Sequence, residues 1–140
     1  MTWAYSQRSL TRLNSCHPDL IVLMLAALDD PECPCDITIV EGFRDETRQN
    51  LMVAEGKSQL PWPRSRHNEF PSRAVDIVPY VNGSVSWEWE HYEPLAAHIK
   101  TVWQRLRMDD KVSNQYELEW GGDWRNFRDG PHWQLNESFV

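Results

Sequence analysis

Ala74-Val75-Asp76-Ile77-Val78-Pro79-Tyr80 is a run of mostly β-branched and apolar residues, followed by Asn82-Gly83 and then by Val85 to Trp89. Val, Ile and Tyr suit a pleated, half-buried surface, and Asn-Gly accepts the positive φ angles of a two-residue hairpin turn. The stretch predicts a strand over 74–80, a tight turn, and a partner strand over 85–89. An isolated hairpin is marginal in water, so more strands or a packed helix must accompany it.

Both are found on either side. Asp36-Ile37-Thr38-Ile39-Val40 is a second β-branched segment, ending at Gly42. Asp45 then suits the N-cap of a helix running to Gly56, whose freedom at positive φ suits a C-terminal stop. Pro61, Pro63 and Pro71 make the intervening stretch a loop. Nearer the N-terminus, Ser9-Leu10-Thr11-Arg12-Leu13 begins one helical pattern, and Pro18 stands at the first turn of another that contains Leu20 to Leu28. Downstream, Leu95, Ile99, Val102, Trp103 and Leu106 recur at helical spacing between Glu93 and Met108. Leu118 and Trp120 alternate with Glu117 and Glu119, and in Pro131-His132-Trp133-Gln134-Leu135 the strand period sets His132 and Gln134 opposite Trp133 and Leu135. The expected fold is α+β: a small antiparallel sheet flanked by helices, in a single domain over residues 1–140.

Composition narrows the function. Fourteen Lys and Arg against 21 Asp and Glu give a net charge of -7, and a nucleic-acid binder needs a basic face to displace counterions. Nucleic acid is excluded as a partner, and anionic membrane surfaces are disfavoured for the same reason. The apolar run Leu20 to Leu28 is about half the ~20 residues of a membrane-spanning helix, so no stable membrane insertion is expected. Met1 to Arg8 lacks the apolar stretch and small-residue cleavage site of a secretory leader, which predicts synthesis and retention in the cytoplasm. Cys16, Cys33 and Cys35 are an odd number without zinc or thioredoxin spacing and read as structural thiols.

Two stretches combine a histidine with an aspartate: Ser65-Arg66-His67 followed by Asp76, and Asp129-Gly130-Pro131-His132-Trp133. A catalytic zinc takes three N or O ligands and leaves one position for water, so His67, Asp76 and His132 form a suitable set. Asp129, three positions before His132 in a Gly-Pro turn, is spaced to lie beside a metal without ligating it, where a general base belongs. A lone histidine in a soluble domain is more often a surface or satisfied core residue, and the residues alone leave both readings open. His17, His91 and His98 are read as structural, each lying near a helix start.

Several separated segments in order resemble the LAS-type zinc peptidases, a family that includes D-alanyl-D-alanine carboxypeptidases and phage L-alanyl-D-glutamate endolysins. They are Ser6-Gln7-Arg8-Ser9-Leu10, His17-Pro18-Asp19-Leu20, Ile39-Val40-Glu41-Gly42-Phe43-Arg44, Ser65-Arg66-His67, Ala74 to Tyr80, Asn82-Gly83, Trp120-Gly121-Gly122-Asp123-Trp124 and Asp129-Gly130-Pro131-His132. The resemblance implies one Zn2+ per chain on His67, Asp76 and His132, with Asp129 as catalytic base. Many members use Glu at that position and some phage members Asp, so the shorter side chain of Asp129 fits the phage branch. Eight residues separate His67 from Asp76 where familiar members have six, which implies a longer bend over Asn68 to Ser72.

The family also has an Arg near the substrate carbonyl, which carries over onto Arg44; a helix start bearing Asp45 and Glu46 is otherwise a poor place for a cation. Ser65 is expected to touch substrate or to orient His67, and Trp133 to touch substrate, since Trp120, Trp124 and Trp133 cluster in sequence with the site. Trp103, on the apolar face of its helix, is expected in the core. The implied activity is zinc-dependent cleavage of peptidoglycan stem peptides between L-Ala and D-Glu by a monomeric phage lysis enzyme without a separate wall-binding domain. It would reach the periplasmic wall from the infected cell's cytoplasm after a holin-like protein permeabilises the membrane. The alternatives are a D-Ala-D-Ala carboxypeptidase or dipeptidase, and a non-catalytic zinc-binding module.

Overall fold

The structure, a computed structural model, describes residues 3–138; Met1 and Thr2, part of the segment read for a leader, lie outside them. Ser6 caps α1 (Gln7–Leu13) by accepting from the Ser9 amide, so the helix starts two residues ahead of the Ser9 read from the sequence, while Pro18 opens α2 (Pro18–Asp29) as expected. His17 caps α2 through Nδ1, which accepts from the Asp19 amide, so its role here is structural. β1 (Asp36–Glu41) leads to α3 (Glu46–Ala54), capped by the Asp45 carboxylate and followed by Gly56 at φ 76°. β2 (Ala74–Val81) is the expected strand, turned back at Asn82-Gly83 with φ 54° and 83°.

The hairpin partner is shorter than the sequence predicts. β3 covers only Ser84–Val85, and Trp89, expected at the end of this strand, begins α4 (Trp89–Met108) instead. Ser86 explains the departure: its hydroxyl accepts from the Glu88 amide and lies 2.6 Å from His91 Nδ1, tying down the first turn of the helix. β4 (Tyr116–Trp120) and β5 (His132–Glu137) complete the sheet, whose order is β1-β2-β5-β4 with β3 also paired to β2, all antiparallel.

Helices and sheet close over one core. Leu20, Leu23 and Met24 of α2, Leu95, Ile99, Val102 and Trp103 of α4, and Val75, Ile77, Trp133 and Leu135 of the sheet are buried together. Trp133 is 1% exposed and stacks on Trp120 at 5.9 Å between ring centres. Truncating such a ring to Ala costs about 3–5 kcal/mol through lost burial and the cavity left behind. All three cysteines are free, as structural thiols should be.

β2 is buried on both faces, so its alternation has a second consequence: Val75 and Ile77 join the core while Asp76 emerges on the other side. The register pairs Asp76 with His132 on β5 and, after an irregularity between Ile39 and Glu41, with Glu41 on β1. A buried carboxylate therefore sits mid-sheet between two elements that carry polar groups.

Candidate active site

Asp76 is 8% exposed and every oxygen is engaged. Oδ1 lies 3.1 Å from His67 Nε2 and 3.2 Å from His132 Nδ1, while Oδ2 accepts from Arg44 Nη2 at 2.9 Å. His67 comes from the loop after α3. Ser65 accepts from the His67 amide and Asn68 returns a bond to the Ser65 amide, forming a capped 3-10 turn that orients the histidine. Asn68 to Ser72 form the longer bend anticipated from the spacing, and it ends where Ser72 exchanges backbone bonds with Ser15 and His17. The two extra residues are absorbed before β2 begins.

The outer nitrogens of the two rings are occupied. His67 Nδ1 lies 2.7 Å from the carbonyl of Gly42, which can only accept, so the proton is on Nδ1. His132 Nε2 lies 2.7 Å from Gln134 Oε1, whose amide nitrogen in turn donates to Asn136. Neutral rings held this way turn bare lone pairs inward onto a carboxylate that also only accepts. Three mutually repelling acceptors within 4.8 Å of one another call for a cation between them. A tetrahedral ion with bonds of about 2.0 Å separates adjacent ligands by about 3.3 Å, and the two separations to Asp76 Oδ1 match. His67, Asp76 and His132 therefore fit a metal.

Titration behaviour carries the same signature. Burial works against the Asp76 carboxylate, but in the metal-free site the charge of His67 and the hydrogen bonds that the rings donate when protonated overcome it and hold Asp76 well below the usual carboxylate range. Burial likewise works against a charged His132, and the bond to Asp76 overcomes it and raises His132 above its ordinary value. Without a metal, Asp76 makes a proton on His132 easier to hold than it is in water.

Asp129 lies in the turn before β5, its amide donating to the Gly121 carbonyl. Burial, and then the negative charge of Asp76, raise its carboxyl above the ordinary range. A Cβ on Gly121 would stand 2.4 Å from the Asp129 carbonyl oxygen and 3.0 Å from His132 Cβ, so only glycine lets that backbone pack against the turn carrying both side chains. Trp120 reinforces the turn by donating its indole N–H to the Gly130 carbonyl at 2.7 Å.

Two hollows meet at this turn. One, of about 190 Å³, is lined by Ser65, His67, Trp124 and His132, and the other, of about 510 Å³, by Met52, Asp76, Val78 and Trp87. Arg44, Lys57, Phe127 and Asp129 border both, so the cleft extends to either side of Asp129.

Of the residues singled out in the sequence, His67, Asp76, His132, Asp129, Arg44 and Ser65 are brought to this cleft. Trp133 is not. Strand alternation turns it away from His132 into the core, and Trp124 lines the cleft instead, its ring 5.0 Å from that of His132. Arg44 is more deeply tied in than its sequence context suggests: it is 5% exposed, bonds Asp76 and Gln49 Oε1, and has Nε 3.1 Å from Glu41 as an ion pair outside hydrogen-bond geometry. Gln49 was missed. It is fully buried, accepting from Arg44 and Asn68 while donating to Ser58 and the Leu60 carbonyl, and nothing local in α3 sets it apart from a solvent-facing glutamine.

The family model for phage L-alanyl-D-glutamate peptidases matches residues 1–136. The chain belongs to this family. Among known proteins it is 25% identical to the L-alanyl-D-glutamate peptidase of Escherichia phage T5, over 89% of this chain and 83% of that one. It is 28% identical to the peptidoglycan L-alanyl-D-glutamate endopeptidase CwlK of Bacillus subtilis, over 71% of this chain and 60% of that one. Among solved structures, the L-Ala D-Glu endopeptidase ChiX of Serratia marcescens superposes with a TM-score of 0.74 at 35% identity, covering 95% of this chain and 90% of that one. The α+β fold and the phage-type resemblance read from the sequence are thereby borne out. Among the described residues no helix is long and apolar enough to cross a membrane.

Proposed function

We propose that the chain is a zinc-dependent endopeptidase that hydrolyses the L-alanyl-D-glutamate bond of peptidoglycan stem peptides in phage lysis. The carrying observation is the convergence of three buried acceptor groups, from His67, Asp76 and His132, beside a cleft bordered by Asp129. Two His and one carboxylate are the ligand set of many zinc hydrolases, and one such set holds one Zn2+ per chain. When bound, zinc supplies a Lewis acid that acidifies water and polarises the scissile carbonyl.

The remaining chemistry belongs to the side chains. Asp129 takes the proton of the attacking water and hands it to the departing nitrogen of D-Glu; its raised pKa brings the base nearer the working pH. Arg44, fixed by Asp76 and Gln49, offers positive charge where the alanyl carbonyl oxygen becomes an oxyanion, and pays no reorganisation cost because it is already held. Ser65 keeps the His67 turn rigid and lines the same hollow. An endopeptidase needs room for peptide on both sides of the scissile bond, and a cleft extending past both sides of Asp129 favours this reading over a carboxypeptidase. Access to the wall through a holin-like protein, and action as a monomer, complete the proposal.

Elemental analysis of dialysed protein tests the metal. One zinc per chain is expected, and near none in His132→Ala; wild-type protein that neither retains nor rebinds zinc would remove the basis of the proposal.

A further inference from the structure

His132 stands at one end of a polar chain that the hydrolytic chemistry does not use. The two-residue period of β5 turns His132, Gln134 and Asn136 to one face, and Gln134 is the direct cross-strand partner of Glu119 on β4. His132 Nε2 meets Gln134 Oε1 at 2.7 Å, Gln134 Nε2 donates to Asn136 Oδ1 at 2.8 Å, and Asn136 Nδ2 donates to Glu119 Oε2 at 2.7 Å. The other oxygen of Glu119 accepts the indole N–H of Trp124 at 2.5 Å, and the Trp124 ring packs back against His132.

The direction of every bond follows from Glu119. A carboxylate only accepts, so Asn136 must turn its NH2 to Glu119 and its oxygen to Gln134. Gln134 then has its NH2 committed to Asn136 and can offer His132 only an oxygen. That oxygen requires the His132 proton on Nε2 and leaves Nδ1 bare toward Asp76. An uncharged amide at position 119 could donate as well as accept, and the order of the chain would no longer be imposed.

We propose that Glu119 is a positioning residue with two arms: through Asn136 and Gln134 it holds His132 in the metal-ligating tautomer, and through Trp124 it holds the wall of the substrate cleft. Hydrogen-bonded partners behind a ligating histidine are worth about 10–100-fold in metal affinity. The inference rests on His132 being a metal ligand, and predicts that one carboxylate couples zinc affinity to substrate affinity.

Zinc affinity, read by competition with a chromogenic chelator, and KM for purified muropeptides at saturating zinc separate the arms. Gln134→Leu cuts the first arm, and zinc affinity falls at least about tenfold. Trp124→Phe cuts only the second, so KM rises and zinc affinity is kept. Glu119→Leu shows both effects. A folded Glu119→Leu protein that binds zinc as wild type does overturns the proposal. Should Glu119→Leu not fold, a Gln134→Leu protein with wild-type zinc affinity overturns it equally. Wild-type protein that fails to bind zinc sinks the metal-site reading and this inference together, whereas normal wild-type zinc binding with unaffected variants sinks the inference alone.

Discussion

Asp76 and His132 are direct cross-strand partners on β2 and β5, and their side chains meet with His132 Nδ1 3.2 Å from Asp76 Oδ1. Sheet register, which a one-residue slip would invert, thus sets two of the three proposed metal ligands against each other. The third, His67, arrives from a loop anchored by its bond to the Gly42 carbonyl. Metal affinity and fold stability share the same contacts.

Replacing Asp129 by Asn keeps the size of the side chain and removes its basicity. Since Asp129 is proposed to stand outside the ligand set, the variant should bind zinc and fold as wild type while hydrolysis falls by about 10²–10⁴-fold, the usual worth of a positioned base. Turnover of purified peptidoglycan, measured beside zinc content, checks it; near-normal turnover would mean that another group takes the proton.

Arg44→Met leaves Asp76 Oδ2 buried without its cationic partner. Arg44 and Asp76 have side chains only 6% and 12% exposed, so solvent cannot replace the lost contact. Breaking such a buried pair destabilises by about 3–5 kcal/mol, which denaturant unfolding of the metal-free protein should register. A loss below about 1 kcal/mol, the worth of a surface pair, would show that Arg44 is not structurally tied to the site.

The raised His132 sets the sign of a pH effect. In the metal-free protein its folded-state pKa lies above the unfolded value of about 6.5. The stability that protonation contributes is therefore complete below that value and is lost as pH rises through the raised one. Zinc must displace this proton, so affinity should climb with pH by up to about tenfold per unit across that window, then level off once His132 is neutral. Chelator competition at several pH values measures the slope, and a flat profile would contradict the coupling.

Much of this was legible in the chain itself because the signals were local. Pro18 and Asp45 mark helix starts by their own chemistry, and the strand period in β2 and β5 assigns Asp76 and His132 to one side of the sheet and Ile77 and Trp133 to the other. The same period argued against a substrate role for Trp133, but its nearness to His132 in sequence suggested otherwise, and burial in the core decided the matter. The helical spacing of apolar residues is legible only from Glu93 onward, yet α4 begins at Trp89 and carries Pro94 at its sixth position. What fixes that start is the Ser86 to His91 contact, a side-chain bond that no periodicity reports. Gln49 and the grip of Arg44 on Asp76 depend on residues 5 to 32 positions apart meeting in space, and composition and spacing carry no trace of them.

The most direct test of the account is mass spectrometry of purified muropeptides digested by the zinc-loaded protein, with a chelator-treated sample as control. The account predicts cleavage between L-Ala and D-Glu, releasing peptides with a new D-Glu N-terminus, and no such products after chelation. Release of free D-Ala with the L-Ala to D-Glu bond intact, or cleavage undiminished by removal of the metal, would contradict it.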